Sequence, residues 1–330
     1  MSHILHLGHQ PADIAGIAAR ISTDAAGFDP ALDVNAIRIQ QARANAVPFS
    51  LAVAPPAGDL WLGFRYVAPN FGNSINQAAA SFLEVRDAAN ALLAEVRPRT
   101  ATNLYHAIAH GDTVVEGASS FAAAPGTPQW IDVRLAVGSD ITLELFVEGV
   151  LQSAASAANT AGRGKPVHLH FPNIGLHGQT TFQTWYYAHI AVLDGISTIG
   201  RRFARRLPAA AGAWDQMTGS LAALADGNPA TRVASTAAGQ RLSFTLAGPA
   251  GPAGGAIAGL HLRQIAQGGT AGPGAVAGFL RMGGVEHDAP PVAVPSLAPL
   301  PVVSSWALNP ATGTPWTDAD LPDEVGVLSA

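Results

Sequence analysis

The sequence contains no cysteine, which excludes thiol catalysis, disulfide cross-links and thiolate metal ligands together and leaves packing and subunit association as sources of stability. Charge is scarce as well: 12% of the 330 residues are Asp, Glu, Lys or Arg, 18 of them basic and 23 acidic. A net charge of −5 builds no basic field, so neither nucleic acid nor anionic lipid is expected as a partner. No stretch of roughly 18 apolar residues runs without glycine or proline, so no membrane insertion is expected. The opening MSHILHLGHQ has no Lys or Arg and breaks its apolar run with histidines, which makes it a poor secretory leader and favours synthesis and retention in the cytoplasm, or release by lysis.

What the chain does hold is glycine and proline, 35 and 24 residues, a mixture that favours short elements and many turns over long helices. Apolar residues recur at period two or in short runs in AIRIQ, PFSLAV, LWLGFRYV, SFLEVR, LLAEVR, NLYHAIA, WIDVRLAV, ITLELFVEG, VHLHF and WYYAHIAVL, all within residues 36–193. All read as strands. In ITLELFVEG, Ile141, Leu143, Leu145 and Val147 share one side while Thr142, Glu144, Phe146 and Glu148 share the other, as in a strand with one packed and one wet face. Gly149 then fits a tight hairpin turn. Only ADIAGIAARIS, with Ile14, Ile17, Ala18 and Ile21 at helical spacing, suggests a short helix. So many regularly spaced strands predict an all-β sandwich or jelly roll.

A chain of this length is more than one core comfortably organises, so two domains are expected. RRFARRLPAAAGAW (201–214) changes the character of the sequence and places the boundary near Leu207, giving domains 1–206 and 207–330. TRVAST, RLSFTLAG, AIAGLHLRQIA and AVAGFLRM form the second set of strands, GPAGPAGG is a loop, and the proline-rich 288–303 segment lies extended or at a sheet edge. NPATG makes a turn. Trp306 and Trp316 belong to the core of the second domain.

Candidate chemistry begins with HLHFPNIGLH. Alternation puts His168 and His170 on one strand face, and with His177 or His189 they have the residue types of a zinc site. With no cysteine and no HExxH-like motif beside them, the reading preferred here is a core-facing Leu169 between two solvent-facing histidines, and no metal or cofactor is expected. Glycosidase chemistry wants two carboxylates flanking one bond. The chain has no Glu-x-Asp-x-Glu run, Glu144 and Glu148 read as solvated, and no Gly-x-Ser-x-Gly elbow exists; the expectation is that the protein is not an enzyme. Arg201, Arg202, Arg205 and Arg206 form the one dense basic patch, suited to an anionic polysaccharide or to an interdomain connector. Trp185 and Tyr187 share a face opposite Tyr186; one face packs in the core and the other is open to stacking on sugars, with core the default for each ring taken alone.

WYYAHIAVLDGISTIG (185–200) resembles a segment of concanavalin A-like sandwich domains in phage and phage-like particle proteins, with Asp194, Thr198 and Gly200 matching and Ala188 and His189 standing where that pattern has a Ser-Glu pair. WLGFRY, WIDVRL and ITLELFVEG resemble the laminin-G-like version of the sandwich. AGAW, STAAGQRLSFTL, IAGLHL, NPATGTPWTDADL and EVGV resemble the C-terminal β-domain that follows such sandwiches in tail, fibre and head-spike proteins. The resemblance implies a concanavalin A-like jelly-roll sandwich followed by a second, smaller β-sandwich domain. It implies a fibre or spike component of a phage or gene-transfer-agent particle, homo-oligomeric, bound to other capsid or tail proteins. Such a component sits at the particle surface, is assembled in the cytoplasm and is released by lysis. On that basis it would attach to host capsular polysaccharide, with Trp185, Tyr187, His168, His170, Arg201 and Arg205 as candidate contacts. A carbohydrate-active enzyme or a free lectin on the same sandwich is the alternative.

Overall fold

The computed structural model describes every residue except 1–3, 9–10, 17–19, 42–47, 69–80, 100–103, 123, 125, 173–182, 226–230, 249–255, 270–271 and 295–298. The described chain is almost wholly β and divides into two compact units, His3–Ala204 and Arg205–Ala330.

The first unit contains β1 (Ile4–Gly8), β2 (Ala15–Gly16), β3 (Ile21–Asp24), β4 (Ala36–Gln41), β5 (Phe49–Ala52), β6 (Leu60–Val67), β7 (Leu83–Asp87) and β8 (Leu92–Arg99). It continues with β9 (Leu104–His110), β10 (Val114–Glu116), β11 (Phe121–Ala122), β12 (Pro128–Val137), β13 (Asp140–Val147), β14 (Val150–Ala158), β15 (Pro166–Phe171) and β16 (Gln183–Asp194). These make two antiparallel sheets of eight strands each. The first runs β14-β13-β12-β6-β16-β4-β3 with β1 on β16, and the second runs β10-β9-β8-β7-β15-β5-β2 with β11 on β9. This is the jelly-roll sandwich that the strand pattern predicted.

Alternation supplies the interior. Leu60, Leu62, Phe64 and Tyr66 of β6, Ile141, Leu143 and Leu145 of β13, and Leu169 and Phe171 of β15 all face one shared core. Its centre is aromatic: Phe49 stacks on Phe171 at 4.4 Å, Tyr187 meets Phe49 edge-on at 5.0 Å, and Phe64 meets Phe171 edge-on at 5.7 Å. Such pairs add about 0.5–1.5 kcal/mol each beyond their buried area.

Strand β14, VLQSAASAA, escapes a reading based on β-branched and aromatic residues because it has little but alanine and serine. The hairpin creates it. Glu148 (φ 49°) and Gly149 (φ 76°) form the turn, two successive left-handed residues as a type I′ connection requires, and β13 then pairs along β14. The small side chains let the second sheet approach. The Asp112 amide donates to Ala158 O at 2.7 Å, and Ser153 Oγ accepts the Ala107 amide at 3.0 Å while donating to Ser119 O at 2.7 Å. Space is tight enough that a Cβ on Gly111 would lie 2.1 Å from Ala158 O.

Of the short helix expected near the start, the described residues keep a 3-10 turn at Pro11–Asp13. Ala15 and Gly16 pair with β5, and Ile21 pairs with Ile39 of β4; Ile17 and Ala18 lie outside the described residues. Isolated helical periodicity yields here to the pairing offered by two sheet edges.

The second unit contains β17 (Leu207–Asp215), β18 (Arg241–Ala247), β19 (Leu260–Ala266), β20 (Ala275–Met282), β21 (Val285–Asp288), β22 (Val292–Ala293), β23 (Leu300–Trp306) and β24 (Glu324–Ser329), with an α-helical turn at Ala222–Ala225 and a 3-10 turn at Asp318–Asp320. Its main sheet runs β17-β18-β24-β20-β21 with β22 on β20, and β19 and β23 form a separate pair. The alanine run that follows the four arginines forms strand β17. TRVAST provides only an isolated bridge between Thr218 and Ala234. Pro301 sits in β23, whose partner is β19, in keeping with the edge position a proline demands. The pair docks on the main sheet at Gly278, whose amide donates to Ser304 Oγ at 2.8 Å. Trp306 and Trp316 are buried with Phe244, Leu280 and Val325, and Trp316 Nε1 donates to Trp306 O at 2.9 Å.

Candidate functional site

Strand β15 fixes the best-defined polar face. Leu169 and Phe171 are wholly buried, so alternation turns His168 and His170 outward. Register extends the face across the second sheet. His170 lies opposite Ser50 of β5 and Glu84 of β7, Glu84 opposite Glu95 of β8, Glu95 opposite Ile108 of β9, and Ile108 opposite Glu116 of β10. Beside this row His168 pairs with Arg86, and Arg97 pairs with His106.

Glu95 is the hub of the face. It is buried, yet Ser81 Oγ and Arg97 Nη2 both donate to it, and His110 Nε2 lies 2.8 Å from its Oε1. Burial alone would raise its pKa; the hydrogen bonds from His110, Arg97 and Ser81 outweigh burial and bring it down to about 2. Next to it Arg86 holds Glu84 through Nη2 at 2.8 Å and Nε at 3.2 Å, and its Nη1 donates to Asn90 O at 3.1 Å. The Arg86 and Arg97 side chains remain 30% and 32% exposed, so each guanidinium is oriented by a glutamate but still reachable. Further along β9, His106 Nε2 lies 3.3 Å from Glu116. Of the positions named here Glu95, His106 and Ile108 are buried, and none carries a Phe, Tyr or Trp ring. The donors of Arg86 and Arg97 not used by these glutamates can make charge-assisted hydrogen bonds to planar or tetrahedral anions.

Two of the aromatic candidates do not belong to any ligand surface. Trp185 is 3% and Tyr187 0% exposed; both sit on the inward side of β16, Tyr187 packing on Phe49, Phe64 and Phe171. Alternation alone cannot tell which side of a strand faces the core, and here the outward residue is the half-buried Tyr186. Arg205 is likewise buried and Arg201 exposed, so the arginine run does not present a common surface. The histidines divide as well: His168 and His170 lie on the second sheet and His189 on a strand of the first, while His177 lies outside the described residues. Among the described residues no group of three or more His, Asp or Glu is placed to hold a metal ion.

A second polar cluster, which sequence reading did not find, explains the Asp194, Thr198 and Gly200 motif. The Asp194 carboxylate accepts the Ala57 and Gly58 amides at 3.0 and 2.7 Å. Thr198 lies against Gly63, where a Cβ would come 2.8 Å from the Thr198 Cβ. Arg202 then lies over the Trp130 ring at 3.9 Å, donates to Thr198 O at 2.6 Å and pairs at 3.4 Å with Asp132, which is fully buried. His189 occupies a bulge of β16 with φ 53°, its ring 5.3 Å from Trp130 and its Nε2 accepting the Asp29 amide at 3.2 Å. Burial lowers its pKa to about 4, so it is a neutral acceptor rather than a cation. These residues pin the segment after β16 to the sheet, and Arg202 is thereby a packing residue.

No protein-family model matches this chain, and no curated protein matches it either. Solved structures do resemble it. An endo-β-1,4-glucuronan lyase from the fungus Trichoderma reesei has a TM-score of 0.42 at 11% identity, over 59% of this chain and 96% of its own. The conserved carbohydrate esterase of Shiga toxin-encoding bacteriophage phi24B has a TM-score of 0.40 at 12% identity, over 59% and 99%. The botulinum neurotoxin type G receptor binding domain has a TM-score of 0.41 at 9% identity, over 58% and 48%. At this level the likeness concerns the β-sandwich alone, and nothing about this chain's ligand follows from it. One expectation must be corrected, however. The chain was expected not to be an enzyme, whereas structures with a similar sandwich include a lyase and an esterase, so this architecture is no ground for excluding catalysis.

Proposed function

We propose that the sandwich unit binds an anionic surface polysaccharide through the outward face of its second sheet, and that the chain is a fibre or spike component of a phage-like particle. The row from His170 through Glu84 to Glu95, with Arg86, Arg97, His110 and His168 alongside, carries the first part. It sets oriented cations and imidazoles within neighbouring strands, spaced about 4.8 Å apart. The second part is supported by the order of the sequence motifs in both units. The expected partners are further copies of the chain and other capsid or tail proteins, and the expected place is the particle surface, reached by assembly in the cytoplasm and release by lysis. Many copies make weak sites effective, since avidity exceeds single-site affinity by ~10²–10⁴.

An array of acidic and neutral polysaccharides tests the binding claim. The wild-type protein is expected to retain uronate-bearing or sulfated glycans. Arg86→Ala combined with His168→Ala should lose on the order of tenfold or more in affinity, the worth of one or two charge-assisted hydrogen bonds. Both side chains lie outside the core and the Glu95 hub stays intact, so the fold survives. Retention of no acidic glycan, or binding indifferent to the double substitution, defeats the proposal.

A further inference from the structure

The outward face of the first sheet carries a different chemistry. Trp61 of β6 and Phe146 of β13 reach toward each other across β12, their rings 5.8 Å apart and inclined by 28°. Both are half-buried. Neither is needed to fill the core, which β6 and β13 supply from their other side through Leu60, Leu62, Leu143 and Leu145. Register places Trp61 opposite Arg134, and Arg134 opposite Glu144.

Arg134 is held between two carboxylates. Its Nε donates to Asp59 Oδ2 at 2.9 Å and its Nη1 to Glu144 Oε2 at 2.9 Å, while its Nη2 lies 2.8 Å from Asp59 Oδ2. Asp59, Arg134 and Glu144 side chains are 33%, 36% and 23% exposed. The carboxylate oxygens still have lone pairs to accept from hydroxyls. Farther along the same side Thr142 and Ser156 are joined at 2.7 Å. An aromatic platform beside fixed hydroxyl acceptors matches a pyranose, which offers an apolar C–H face and an equatorial rim of hydroxyls.

We propose that Trp61, Phe146, Asp59 and Glu144 form a saccharide subsite for neutral, equatorially substituted oligosaccharides, separate from the anionic face on the other sheet. Trp61 and Phe146 stack on the sugar ring, Asp59 and Glu144 accept from its hydroxyls, and Arg134 is a positioning residue that holds the two carboxylates. The same protein therefore presents a neutral-sugar surface on one sheet and an anion surface on the other.

Calorimetric titration with cellohexaose, laminarihexaose, xylohexaose and chitohexaose tests this. At least one is expected to bind at millimolar strength or better. Trp61→Ala and Glu144→Gln should each weaken it by roughly tenfold, Trp61→Phe should weaken it less, and Arg86→Ala should leave it unchanged. Near-ultraviolet circular dichroism of each variant establishes that it is folded; if Trp61→Ala is not, Trp61→Phe and Glu144→Gln decide. No binding of any of the four sugars overturns the subsite, as does binding unaffected by the folded Trp61 and Glu144 variants. Binding abolished by Arg86→Ala would move neutral sugars to the second sheet and overturn it equally. Loss of acidic-glycan binding alone, by contrast, touches only the proposed function of that sheet.

Discussion

Replacing Glu95 with glutamine is expected to cost the sandwich unit about 3–5 kcal/mol, the range for breaking a buried ion pair from one side. Glu95 is 4% exposed and receives Ser81, Arg97 and His110. An amide of the same shape keeps one acceptor oxygen but turns an NH2 group toward donors, so the donors that converge on this buried position lose an acceptor and the charge that held them. Acid reaches the same end by titration. The carboxyl pKa is about 2 in the folded chain against 4.5 for the ordinary group. Stability from this residue is therefore fully present above pH 4.5 and is lost as pH falls through 2. A shift of that size corresponds to about 3 kcal/mol. Urea denaturation of wild type and Glu95→Gln at pH 7, 4 and 2 checks both statements: the two midpoints should lie far apart at pH 7 and converge toward pH 2. A variant as stable as wild type at pH 7 would mean that Glu95 organises nothing.

Phe64→Ala should be as damaging for a different reason. The ring is fully buried and touches Tyr66, Phe82, Phe171 and Tyr187 at centroid distances of 5.7–6.4 Å. These partners come from β6, β15, β16 and the residue just before β7, so the ring bridges both sheets. Removing it leaves a cavity that four rings anchored on different strands cannot collapse into, and a loss of about 3–5 kcal/mol follows. Phe64→Leu refills most of the space and should cost clearly less. The ratio of the two urea midpoint shifts measures how rigidly the aromatic centre is held.

Much of this core could be read in advance. In β13 the alternation of Ile141, Leu143, Leu145 and Val147 with polar neighbours survives residue by residue as a buried and half-buried pattern, because period-two polarity is the physical requirement of a sheet with one dry face. β14 could not be read, since alanine and serine carry no preference strong enough to announce a strand; the turn at Glu148 and Gly149 and the closeness of the second sheet impose it. The helix suggested by Ile14 and Ile21 shrinks to a 3-10 turn at Pro11–Asp13 because tertiary pairing of Ala15, Gly16 and Ile21 overrides local spacing.

The candidate site shows the same division. The outward direction of His168 and His170 followed from Leu169, but the partners that make them a site, Glu84, Arg86 and Glu95, stand on β7 and β8 about 75 to 85 positions earlier in the chain, and only register reveals them. Trp185 and Tyr187 were misassigned because a strand's pattern fixes which residues share a side without saying which side is wet. The arginine run failed for a related reason: charge in sequence says nothing about whether a guanidinium, such as that of Arg202, will find an aromatic face and a buried carboxylate.

The central claim is that the outward face of the second sheet holds an anionic glycan. Hydroxyl-radical footprinting of the full chain, with and without a saturating acidic polysaccharide from the array, addresses it most directly. The account predicts reduced labelling of His168 and His170, with the first-sheet residues Trp61 and Phe146 unchanged. Undiminished labelling of His168 and His170 in the glycan-bound protein would contradict it.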